Sequence, residues 1–142
     1  MLFRSVTSDI WSATSYNELY RDAHRVDRWN LLHPGEKPKV PHVTACLGDA
    51  PGIVVAASDY LKCQADMISR WVPKPIVTLG TDGFGRSEDR ASLRRHFEVD
   101  ARAIAAATLS ALGREKQVDA KVVKQAFKDL EIDADKIDPA IA

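Results

Sequence analysis

The chain has 142 residues, with 20 basic and 20 acidic side chains and a formal net charge of zero at neutral pH. That length suits one domain around one core, and the charge balance removes the electrostatic case for a nucleic-acid or anionic-membrane partner. No stretch approaches the ~20 apolar residues of a membrane span, and the start, MLFRS, lacks an apolar core with a cleavage site after it, so a cytoplasmic protein is expected.

In chain order, SDIWSA (Ser8 to Ala13) alternates well enough to predict a strand. Ser15 with Glu18 matches a capping box, and Tyr16, Leu19, Tyr20, Ala23 and Val26 follow at helical spacing. Asn30 to Pro41 holds three prolines and a glycine and is expected to be a loop, followed by a helical turn at HVTACL. GIVVAA, Gly52 to Ala57, reads as a strand covered on both faces. A helix through Leu61, Ala65, Ile68 and Val72 is expected next, capped by Ser58 and Asp59 and stopped by Pro73 and Pro75. PIVTLG (Pro75 to Gly80) is a third strand candidate, leading into the loop TDGFG.

Beyond that loop, SEDRASLRRH is expected to form a short helix capped by Ser87. Asp100 is placed to cap a longer one, which Gly113 would end in a left-handed turn. A last helix, from about Asp119 to Leu130, turns Val122, Val123, Ala126, Phe127 and Leu130 inward and lysines outward, and an irregular tail completes the chain. Strands alternating with helices predict an α/β fold with a mainly parallel sheet flanked by helices. Three strands make a thin sheet that would tend to associate through its edge.

Several segments together carry a family resemblance: DIWSATSYNEL, DRWNLLHPGEKPKVPHV, DYLK, TLGTDGFGRSEDRASLRRHFEVD and IDADKIDP. In order and spacing they resemble the C-terminal, transketolase-like domain of the homodimeric bacterial pyruvate dehydrogenases, from Val6 to Ala142. The resemblance implies a Rossmann-like domain lacking its first strand and helix, so 6–142 is expected to be a partial domain. It also implies a parent enzyme that uses thiamine diphosphate and magnesium to decarboxylate pyruvate and acetylate a lipoyl group. Its implied partners are the catalytic domains of the same enzyme, a second subunit and the lipoyl-bearing acetyltransferase. Residues 1–5 do not fit the pattern, and Leu2 to Ser5 can be encoded by the end of a common sequencing adapter, so they are expected to be an artefact.

The loop after the third strand candidate invites a ligand. TDGFG lacks the first glycine of the GDG motif that holds thiamine diphosphate, and no asparagine follows Asn30 to complete that site. Nor does it have the GxGxxG order of a dinucleotide turn. A structural joint is the stronger reading, with Gly83 and Gly85 supplying backbone freedom, Phe84 plugging an apolar gap, and Asp82, Glu88 and Asp89 neutralising Arg86, Arg90 and Arg94. A weak anion or interface site there remains open, and Trp29 is a second candidate for a domain contact. The four histidines show no ligand spacing, and Cys46 and Cys63 are expected to be reduced, partly buried thiols. The expected role is structural, with no catalytic, cofactor or metal residue on this segment. A free-standing interaction or small-ligand module and a transketolase domain are the rival readings.

Overall fold

The computed structural model describes residues 6–49 and 51–142, so the suspected artefact at 1–5 lies outside the described residues. The first helix, α1, spans Tyr16–Leu32, and the Ser15 hydroxyl accepts the Glu18 backbone N–H at 3.3 Å as its N-cap. The other half of the expected capping box is spent on an ion pair, because the Glu18 carboxylate meets Arg21 at 2.7 Å. Helix α1 runs further than expected, taking in Asn30 to Leu32. The Asn30 amide then brackets the loop, accepting from Lys39 N–H at 2.8 Å and donating to Lys39 C=O at 2.9 Å. Helix α2, His42–Leu47, has a proline at its N-cap position, and Asp22 of α1 accepts the His42 N–H at 2.8 Å in its place.

Among the described residues two strands form the sheet: β1, Val54–Ala57, and β2, Ile76–Leu79, parallel and in register from Val54 opposite Ile76 to Ala57 opposite Leu79. Val54 and Ile76 share one face and pack on a core of Ala23, Val43, Ile68, Trp71 and Val72. Alternate positions point the other way, and α5 lies against the same two strands. This is the expected α/β arrangement with a smaller sheet. The strand expected at Ser8–Ala13 is absent, and Ile10 is 95% exposed. Alternation stabilises a strand only where one face is buried and a neighbour accepts its hydrogen bonds, and neither condition is met there.

Between β1 and β2 the expected single helix is a short one, α3 at Cys63–Asp66, followed by a 3-10 turn at Ser69–Trp71. Bonds from Ile68 N–H to Ala65 C=O and from Trp71 N–H to Ile68 C=O tighten the chain. Ser58 does not cap α3; its hydroxyl accepts the Tyr60 N–H, and the N-cap position of α3 is Lys62. Pro73 pushes Val72 into an extended conformation and ends the segment.

Helix α4 spans Arg90–His96, α5 Ala101–Arg114 and α6 Ala120–Asp129. Asp100 and Asp119 cap α5 and α6 as expected. Asp89, not Ser87, caps α4, accepting from the N–H groups of Ala91 and Ser92. Gly113 does not end α5, since the left-handed residue is Lys116, three positions on. Gly113 is small for another reason: a Cβ there would stand 3.0 Å from a Val123 methyl of α6. Ala126 of α6 is fully buried, on the inward face its spacing implies.

Candidate functional site

The carboxyl ends of β1 and β2, where parallel sheets gather their ligands, are closed by the chain itself. Ser58 N–H donates to Leu79 C=O at 3.1 Å, Thr81 N–H to Tyr60 C=O at 2.9 Å, and the Thr81 hydroxyl to Asp59 C=O at 3.0 Å. Gly80 lies beneath this stitch; a Cβ on it would come within 2.6 Å of both Lys62 N and Tyr60 O. Asp82 accepts the Lys62 N–H at 3.2 Å, and the Lys62 ammonium is 4.0 Å from the same carboxylate. A cavity of about 30 Å³ remains between Lys62, Gly80, Asp82 and Pro139, room for water and not for an organic ligand.

The rest of the loop divides differently from its sequence-based reading. Gly83 has φ +110 and its missing side chain makes way for Pro139 and Ala140 of the tail, so it needs to be glycine. Gly85 does not: its backbone is outside the left-handed region and a Cβ would meet nothing within 4 Å. Phe84 plugs no gap and is 82% exposed. The acids expected to neutralise the arginines are engaged elsewhere. Asp82 holds Lys62, Glu88 accepts the Asp89 N–H, and Asp89 caps α4 and accepts the Ser92 hydroxyl at 2.6 Å. Those bonds to Ser92 and Ala91 hold the Asp89 carboxyl below its usual value. No ion pair among the described residues joins Arg86, Arg90 or Arg94 to a carboxylate.

Behind α4 an open cleft of about 1400 Å³ runs between α4, the first turns of α5 and the tail from Leu130 to Asp138. Lys136 ties its far end, donating to the carbonyls of Arg95 and His96 and to Glu98. His96 lines it edge-on to Phe97, and its Nε2 is shielded from solvent with no hydrogen-bond partner among the described residues. Desolvation, then the charges of Arg86 and Lys136, holds its pKa below the ordinary value of 6.5. A base whose pKa falls on folding binds fewer protons folded than unfolded. Its stabilising contribution is whole above the ordinary value and is lost as pH falls through the lowered one. Urea midpoints are therefore expected to fall between about pH 7.5 and about pH 5.5, and less so in His96→Gln; equal falls in both proteins would place the acid sensitivity elsewhere.

Trp29, the other candidate contact, is half-buried, stacks on His33 with ring centroids 4.3 Å apart, and carries the Lys39 ammonium 4.0 Å from its ring. These contacts fasten the proline-rich loop to α1. The structure also pairs His42 Nε2 with Cys46 Sγ at 3.4 Å, a contact legible in the four-residue spacing of HVTAC once that segment is helical. Cys63 is exposed rather than partly buried. Among the described residues no three His, Cys, Asp or Glu side chains come together as a metal site.

The family model for transketolase-like TK C-terminal domains matches residues 2–100. The chain belongs to that family. This transketolase-like domain is 51% identical, over 96% of its length, to the pyruvate dehydrogenase E1 component of Haemophilus influenzae. It is 47% identical over 94% of its length to the Pseudomonas aeruginosa E1 component, and 46% over 96% to that of Escherichia coli K12. The chain spans 15% of the length of each of these relatives. Thiamine diphosphate and magnesium do not fit the loop of this domain, because Asp82 is committed to Lys62 and the Gly83 face is covered by Pro139. No helix of the described residues is long and apolar enough to cross a membrane.

Proposed function

We propose that the chain is the structural and subunit-contact domain of a cytoplasmic pyruvate dehydrogenase of the E1 type. The parent enzyme oxidatively decarboxylates pyruvate with thiamine diphosphate and magnesium and acetylates the lipoyl group of its acetyltransferase partner. The chemistry belongs to other domains of that enzyme, and this one supplies architecture and contacts to them and to a second subunit. One observation carries the reading: the glycine loop at the strand ends is consumed internally, while Phe84 and three arginines with no carboxylate partner among the described residues face outward. Exposed aromatic and arginine side chains are the composition of contact surfaces. A sheet of two strands supports taking 6–142 as part of a larger domain whose further strands come from elsewhere in a longer polypeptide.

The test is a chimera. Replacing the matched region of the Haemophilus influenzae E1 component by residues 6–142 is expected to give an enzyme that forms acetyl-dihydrolipoyl groups from pyruvate, while the chain alone forms none. A chimera that folds but lacks activity, or activity in the isolated chain, would overturn the assignment. The genomic sequence across the codons for residues 1–5 tests the expected artefact there.

A further inference from the structure

We propose that Cys46 is an oxidisable thiol, with His42 as the base that takes its proton, and that a hydroperoxide converts it to a sulfenic acid. The His42 Nε2 lies 3.4 Å from the Cys46 Sγ. A nucleophile and a base therefore meet on α2, away from the joint at the strand ends. Residues four apart lie one above the other on a helix, and this pair sits beside the inward face that Val43 and Leu47 turn to the core.

Neighbouring elements hold the pair in place. Val43 is 4% exposed, the Thr44 hydroxyl donates to Trp71 C=O, and Asp22 of α1 accepts the His42 N–H. The rotation of α2 and the position of its first residue are thus both fixed. His42 is exposed and Cys46 half-buried, which leaves the thiol within reach of a molecule as small as a peroxide. With its own proton on Nδ1, His42 presents a bare Nε2 to the thiol. As sulfur attacks the outer peroxide oxygen, an S–O bond forms and the O–O bond breaks. Sulfur gives up two electrons and the peroxide accepts them. The thiol proton passes to Nε2 and then to the departing oxygen, which leaves as an alcohol, or as water from hydrogen peroxide.

An unassisted thiol is only about a few per cent ionised near neutral pH, and proton transfer within the pair removes that limit. Cys63 is the internal comparison. It is also free and more exposed, and no hydrogen bond joins it to a histidine among the described residues. Exposure alone ranks Cys63 as the faster thiol, whereas a neighbouring base ranks Cys46 first.

Peroxide oxidation of the full chain decides between them. Hydrogen peroxide is added at neutral pH with dimedone, which traps sulfenic acids, and the protein is then digested with trypsin. Cleavage after Lys62 places the two cysteines on separate peptides, whose labelling is followed by mass spectrometry. Cys46 should be labelled about tenfold faster than Cys63. His42→Ala should slow Cys46 by about tenfold and leave Cys63 unchanged, so that Cys63 reports on the fold of the variant. His42→Gln, which keeps a polar side chain and loses the base, should be as slow. Added imidazole should restore part of the lost rate at Cys46 in His42→Ala and do nothing at Cys63. Labelling of Cys46 no faster than that of Cys63, a Cys46 rate unchanged in both His42 variants, or a slow His42→Ala that imidazole fails to restore would each overturn the proposal.

Discussion

Trp71→Ala is expected to destabilise the chain by about 3–5 kcal/mol, the usual cost of removing a large buried aromatic side chain. Trp71 is 7% exposed in the core that joins α1, α2 and the sheet. The edges of Tyr20 and His24 meet its ring at 5.8 and 4.9 Å, and the Arg70 guanidinium lies 4.7 Å over it. Its indole N–H donates to Asp27 at 3.0 Å, and its carbonyl accepts the Thr44 hydroxyl at 2.5 Å, so one residue binds three elements. Trp71→Phe retains most of the buried ring and loses the indole donor. Asp27 keeps Arg70 at 3.1 Å, so this variant should cost about 1–2 kcal/mol. Urea unfolding of the three proteins at one pH gives both differences. A Trp71→Ala loss below about 1 kcal/mol would mean that the neighbouring side chains collapse into the space.

Elements with a cap and an uninterrupted period were readable: Asp100 before α5, Asp119 before α6, and the apolar runs of β1 and β2. In each case the local signal and the tertiary environment agree. Legibility ended where a side chain chose between local partners. Asp89 and Ser87 are both competent caps, and only the backbone path selects Asp89. Gly83 and Gly85 look equivalent in sequence, and the tail crossing over Gly83, more than fifty residues away, distinguishes them. The alternation at Ser8–Ala13 resembled a strand because pattern reports which faces differ, not whether a neighbour exists to pair with. At the candidate site, the joint was readable from glycines followed by a helix start. The arginines' lack of carboxylate partners among the described residues was not, since proximity in sequence to Asp82, Glu88 and Asp89 suggested a neutralisation, whereas those acids bond to Lys62 and to the backbone at the start of α4.

Gly80→Ala isolates that joint. The new methyl would press on Lys62 N and Tyr60 O, each 2.6 Å away, and both are backbone atoms that no rotamer change can move. Relief requires the 58–62 segment to lift from the end of β2, which breaks the bonds from Thr81 to Tyr60 and from Ser58 to Leu79. Overpacking typically costs 1–3 kcal/mol, and with two backbone bonds at stake the loss should reach about 3 kcal/mol or more. Gly85→Ala is the control: it adds a methyl in open space at an ordinary backbone angle and should be neutral or stabilise by up to about 1 kcal/mol through the unfolded chain. Denaturant midpoints and amide exchange at Thr81 and Ser58 measure the difference. Loss of protection at those two amides together with lower stability in Gly80→Ala would establish the strand ends as a sealed joint. Equal behaviour of the two variants would mean that the loop yields to a side chain, leaving room at the carboxyl ends of β1 and β2 for the ligand that this arrangement excludes.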